Sequence, residues 1–160
     1  MKKLAFVLGL VAVAFGAWYV FGPGAIAPQP GAESTGVDLA ALRAPEGATD
    51  EEALEFRARK RWDAMIELDL DTTYEFATPT YRANYNLAHY RRQYAAQVKR
   101  TGFEVYSVDI DETDPRKAKV VILLNYETAG YEPEQVLKLQ SRLVNTWVKR
   151  NGEWWFVEPR

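Results

Sequence analysis

The side chains able to do chemistry in this chain each meet a limit set by their own spacing. His89 is the sole histidine and there is no cysteine. A serine–histidine–aspartate relay or a histidine metal cluster would therefore have to be built around one imidazole, and thiolate chemistry is closed. His89 falls off the apolar stripe of Leu87, Tyr90 and Tyr94, which points it to solvent. Asp109, Asp111, Glu112 and Asp114 gather enough carboxylate to suggest calcium. A calcium loop starting at Asp109 needs Gly at its sixth place and Glu at its twelfth, where the chain has Asp114 and Val120. The cluster reads as a solvated turn, and neither a metal nor another cofactor is expected.

Asp63 is the nearest approach to a general base. Trp62, Tyr74, Tyr81, Tyr85, Tyr90, Tyr94, Tyr126 and Trp147 make the chain rich in aromatics, and ordinary core packing accounts for helically spaced aromatics first. Several of them could line a cavity, to which Asn125 and Asn145 would add polar groups. The pocket candidates are thus Trp62, Asp63, Tyr81, Asn125, Tyr126 and Trp147, with no catalytic residue assigned. Two basic groups stand out: Arg57, Arg59, Lys60 and Arg61, and then Arg91, Arg92, Lys99 and Arg100. Glu51, Glu52, Glu55, Asp63 and Glu67 interleave with the first group and make it a mixed-charge helix face; the second is the better contact candidate.

These side chains need elements to hold them. Thr49 or Asp50 can cap a first helix that runs to about Leu68, with Leu54, Ala58, Trp62, Met65, Ile66 and Leu70 recurring at helical spacing. Asp71 or Thr72 opens a shorter second helix, in which Thr72 and Glu75 match a capping box, and Pro79 limits its far end. Tyr81 to Tyr85 reads as a connecting turn. Asn86 then caps a third helix that Gly102 ends. Beyond it come strands from Phe103 to Ile110, Lys119 to Thr128 and Gln135 to Lys149, with a polar turn from Asp111 to Lys117 between the first two. Asn151-Gly152 specifies a tight hairpin with both central residues at positive φ, pairing Arg150 with Glu153, Lys149 with Trp154, Val148 with Trp155 and Trp147 with Phe156. One face of that hairpin carries Trp147, Trp154 and Phe156. The other, with Val144, Val148, Trp155 and Val157, is the interface candidate. Helices followed by an antiparallel meander make the class α+β: an N-terminal hydrophobic helix, then three helices packed on a curved four-stranded antiparallel sheet.

At the front, Lys2 and Lys3 precede an uncharged apolar run from Leu4 to Phe21, a membrane-targeting element of intermediate length. Residues 1–27 read as a signal anchor or a signal peptide, with the uncleaved anchor preferred. Residues 28–49 read as a flexible Pro/Gly/Ala linker and residues 50–160 as one folded domain. Lysines before the apolar run place the bulk of the chain outside, in the periplasm of a bacterium, tethered to the inner membrane. The formal charge of −2 becomes −4 once residues 1–27, which hold two lysines and no acid, are set aside. A mildly acidic exported domain is a poor candidate for binding nucleic acid.

The sequence from Arg61-Trp62-x-x-Met65 through Asp69-Leu70-Asp71-x-x-Tyr74-x-Phe76, then Pro79-x-Tyr81-Arg82 and the terminal Trp147-Val148-Lys149-x-x-Gly152-x-Trp154-x-x-Val157, resembles the nuclear transport factor 2-like superfamily over about Asp50 to Glu158. The resemblance implies a cone of helices wrapped by a sheet. It carries no catalytic set onto this chain, because no complete group of cavity acids, histidines or tyrosines matches. The first functional reading is a non-enzymatic, membrane-tethered periplasmic binding or interaction domain, acting as a homodimer or as an accessory envelope protein. The alternatives are a small-molecule carrier or sensor using a cavity, and an isomerase or dehydratase, which would require a buried acid such as Asp63 beside a tyrosine donor.

Overall fold

The computed structural model describes residues 36–94, 99–130, 132 and 134–159. The expected N-terminal hydrophobic helix lies outside them. Among the described residues no helix is long and apolar enough to cross a membrane.

Among the described residues four helices precede four strands: α1 (Asp50–Glu67), α2 (Leu70–Glu75), α3 (Pro79–Asn84), α4 (Leu87–Gln93), β1 (Lys99–Ile110), β2 (Lys117–Ala129), β3 (Val136–Arg150) and β4 (Glu153–Phe156). The strands form one antiparallel sheet in the order β1-β2-β3-β4. Thr49 caps α1 in a reciprocal box with Glu52, and Leu68 ends it in the left-handed conformation, which lets the chain reverse at once into α2. Asp69 opens α2 by accepting from the Thr72 amide, one turn earlier than the expected capping box.

The expectation of three helices after the N-terminal one is corrected to four among the described residues. Thr78 caps a short helix whose first position is Pro79, where a missing N–H costs nothing. The proline therefore starts α3 where it was expected only to end α2. Asn86 caps α4 as its sequence suggests. That helix stops at Gln93, however, and Lys99 to Gly102 belong to β1, with irregular register between Arg100 and Gly102 and between Val105 and Ser107.

The core lies between α1 and one face of the sheet. Leu54, Ala58, Trp62 and Met65 from the helix meet Ala118, Val120, Ile122, Leu124, Trp147, Trp154 and Phe156 from the strands. Strand alternation puts these sheet residues on one side. A second cluster of Tyr74, Leu87 and Tyr90 joins the short helices. Leu42 also enters the core, and its carbonyl accepts from Arg57 Nη1 at 3.0 Å. The described end of the segment expected to be a linker is thus seated on the domain.

The hairpin has the register its sequence specifies, Arg150 opposite Glu153 through Trp147 opposite Phe156. Asn151 and Gly152 take φ of 53° and 82°. Beyond β4, Val157 still bonds Thr146, N to O at 2.9 Å. The outer edge of β4 is bonded as well. Phe156 donates to the Phe76 carbonyl at 2.8 Å and accepts from the Thr78 amide at 3.1 Å, while the Trp154 carbonyl accepts from Arg57 Nε at 2.6 Å.

Candidate functional site

Between α1 and the sheet opens a cavity of about 680 Å3. Helix α1 contributes Arg61, Trp62 and Met65; β1 and β2 contribute Arg100, Leu124 and Tyr126; β3 supplies Leu143 and Asn145; and Tyr94, Phe156, Val157 and Glu158 complete the wall. Helical spacing explains the α1 contribution, since residues 61, 62 and 65 share one face. Most of the lining is apolar. Trp62 donates its indole N–H to Asn145 Oδ1 at 2.7 Å, and both residues are buried, so this polar pair is satisfied within the wall.

The polar end is built on a buried acid and a buried base. Glu158 is 7% exposed and Arg61 2%. Arg61 Nη2 stands 3.7 Å from Glu158 Oε1, close enough for attraction but too far for a hydrogen bond. The Tyr94 hydroxyl donates to Glu158 Oε2, whereas Glu158 Oε1 and Arg61 Nε have no hydrogen-bond partner among the described residues. The Arg61 guanidinium lies 3.6 Å from the centre of the Phe156 ring, a cation–π contact that fixes its plane.

Burial pushes the Glu158 carboxyl above its ordinary value; Arg61 and the Tyr94 hydroxyl oppose the shift without cancelling it. Burial likewise raises the phenols of Tyr94 and Tyr90, and the Glu158 charge adds to the rise in both. A carboxyl buried in this setting holds its proton more readily than an exposed one. The residues of this end suit a polar organic group; among the described residues no cluster of three or more metal-ligating side chains occurs.

The structure brings some of the expected pocket residues together and separates others. Trp62 and Tyr126 line the cavity. Trp147 does not line it: the residue is fully buried and packed edge-on against Phe156. Asp63 is exposed and sits in a groove with Lys60, Glu67 and Phe103, one helical step away from the inward stripe, so it cannot act on a molecule in the cavity. Tyr81 belongs to the short-helix cluster, where its hydroxyl donates to Gln93 at 2.9 Å and burial lifts its phenol to about 12. Asn125 is exposed on the outer side of β2 and accepts from Gln140 at 3.0 Å.

The interface candidates do not share one open face. Val144 is 58% exposed. Val148 and Trp155 are half-buried, and Arg57 and Arg82 lie over the Trp155 ring at 5.2 and 5.4 Å. Val157 lines the cavity, as Val144 does. His89 is half-buried and stacks on Tyr85 at 4.8 Å, where its helical position had pointed it to solvent.

Sequence reasoning missed Arg61, Arg100, Tyr94 and Glu158 as a group. A signal was present for the first. Arg57 and Arg61 fall on the same stripe as Leu54, Ala58 and Met65, so they point inward; only the nearby acids suggested a solvated face. Arg57 is buried, and burial lowers its guanidinium to about 10. The remaining basic residues do not make a continuous patch: Arg91 pairs with Asp71 and Lys99 with Glu127. In the acidic turn Asp111 accepts from the Thr113 and Asp114 amides, while Asp114 binds Arg116 and Lys117, which is the solvated turn expected.

No family model matches the chain, and no curated protein does. Among solved structures, a SEC-C motif containing protein from Psychrobacter arcticus aligns with a TM-score of 0.50 at 17% identity, over 71% of this chain and 63% of that one. A SEC-C motif containing protein from Rhodopseudomonas palustris aligns at 0.47 and 18%, over 67% and 74%. The chain thus spans less than two thirds of the Psychrobacter protein. These findings correct the resemblance to the nuclear transport factor 2-like superfamily, because the Psychrobacter neighbour is a SEC-C motif containing protein and no family model or curated protein supports that superfamily. What the likeness shows is the fold alone.

Proposed function

We propose that this domain binds a small, largely apolar molecule in the cavity between α1 and the sheet and serves as its carrier or sensor. The observation that carries the reading is the cavity itself. Its volume of about 680 Å3 falls within the roughly 300–1,000 Å3 typical of small-molecule sites, which combine apolar walls with a few convergent polar groups. Trp62, Met65, Leu124, Tyr126 and Leu143 supply the walls, and Arg61, Glu158 and Tyr94 the polar groups. The apolar run from Leu4 to Phe21 supports placing this binding domain on the outer side of a bacterial inner membrane, the run serving as tether.

The test uses N-phenyl-1-naphthylamine, a neutral probe whose emission rises in apolar surroundings, titrated into the full-length chain. Binding is expected to be saturable. Leu143→Trp, which fills the wall from a half-buried position, should weaken it about tenfold, the scale of one clashing side chain at about 1–3 kcal/mol. An absence of saturable emission in the wild-type protein would overturn the reading.

A further inference from the structure

We infer that the molecule bound in the cavity is an amphipathic carboxylate, its head group held between Arg61 and Arg100 and its apolar part laid along Trp62, Met65, Leu124 and Tyr126. The inference rests on the small-molecule reading above and adds the chemical class.

Arg61 comes from α1 and Arg100 from β1, so two separate elements bring arginines to one cavity. Both groups have idle donors. Arg61 is 2% exposed, yet its Nε has no hydrogen-bond partner among the described residues, and neither has the buried Nη1 of Arg100. A buried donor on a charged group is costly to leave unpaired. An Arg61 serving only to hold the fold would be expected to close its pair with Glu158, whereas the two stand 3.7 Å apart without a hydrogen bond.

The charge balance selects an anion. Two arginines and one carboxyl line the cavity, so its wall as a whole keeps a positive excess even when Glu158 is ionised. Burial makes Glu158 readier to hold its proton, and the protonated acid would donate to a ligand carboxylate where the ionised one would repel it. Planar guanidiniums match a carboxylate in geometry as well as charge. A bare inorganic anion would leave most of the 680 Å3 and its aromatic wall without contacts, and so the ligand needs an apolar part.

The experiment compares 4-phenylbutanoate with 4-phenylbutanamide, two soluble compounds of nearly the same shape, by calorimetric titration into the full-length chain at neutral pH. The acid is expected to bind about tenfold tighter or more, the scale of a charge-assisted hydrogen bond in place of a neutral one. Arg100→Gln, at a half-buried position, should narrow the gap to about threefold or less while N-phenyl-1-naphthylamine still binds. Arg61→Gln should do the same provided its circular dichroism remains that of the wild type; Arg100→Gln decides the matter if it does not. Equal binding of acid and amide, or a preference for the acid that Arg100→Gln leaves intact, would overturn the inference. If the neutral probe binds and neither phenylbutanoyl compound does, the carboxylate assignment fails and the cavity reading stands. If none of the three binds, both fail.

Discussion

The hydrogen bond from Trp62 to Asn145 can be tested by a double-mutant cycle whose sign is fixed by geometry. The donor–acceptor distance is 2.7 Å, and the two residues are 5% and 8% exposed. Trp62→Phe removes the indole N–H and strands the Asn145 carboxamide; Asn145→Leu strands the indole N–H. Each orphaned buried group costs about 1–3 kcal/mol, and Trp62→Phe additionally gives up packing against Phe103, whose ring centre lies 6.1 Å away. The double variant leaves neither partner stranded. Its loss should therefore fall short of the summed single losses by about 1–2 kcal/mol, the packing contribution being common to both arms and cancelling in the cycle. Urea unfolding followed by far-ultraviolet circular dichroism is the suitable assay, because tryptophan emission would change with the substitution itself. Additivity within about 0.5 kcal/mol would refute the reasoning and mean that water in the cavity satisfies either group as well as its partner does.

Glu158 gives the domain a distinct response to acid. Its carboxyl is raised above the value it has in the unfolded chain, so the stability it contributes is fully present below the unfolded value and is lost as pH rises through the folded one. The melting temperature of the wild type should accordingly rise relative to Glu158→Gln as pH falls from about 7 to about 5, and a difference that stays flat would count against a raised carboxyl. The exposed acids of the turn, Asp111 and Asp114, titrate alike in both proteins and drop out of the comparison. At the hairpin, Gly152 has φ of 82° and open space around the site of a Cβ. Gly152→Ala should thus cost about 1–2 kcal/mol from backbone conformation alone, read as a fall in the urea midpoint without a change of slope; a neutral result would remove the left-handed requirement.

The hairpin was legible because its information is local: two residues that accept positive φ fix the turn, and the turn fixes every pair outward from it. The caps at Thr49 and Asn86 were legible for the same reason. Pro79 was misread because proline both ends one helix and suits the first position of the next, and only the Thr78 cap distinguishes the two. The start of β1 was hidden in Lys99 to Gly102, where polar residues suit a helix end as readily as a strand.

The cavity is a different matter. Glu158 lies 97 positions from Arg61 in the sequence, and nothing local to either announces the other. Trp147 and Tyr126 looked equivalent as strand aromatics, yet Trp147 is sealed in the core while Tyr126 stands on the cavity wall. Asp63, adjacent to Trp62 in sequence, faces away because one residue along a helix turns the side chain by about 100°.

The bonds along the outer edge of β4 bear on how this protein meets other chains. A terminal strand with idle amides and carbonyls is a template on which another strand can grow. Here Phe76 and Thr78 occupy the main-chain groups of Phe156, and Arg57 occupies the Trp154 carbonyl. A foreign strand could join this side only after the short crossing between α2 and α3 had been peeled away, and that peeling would also uncover Phe76, which is fully buried. The same three hydrogen bonds thus guard this edge of the sheet against the addition of a foreign strand, and their loss marks where a damaged copy would become adhesive on this side.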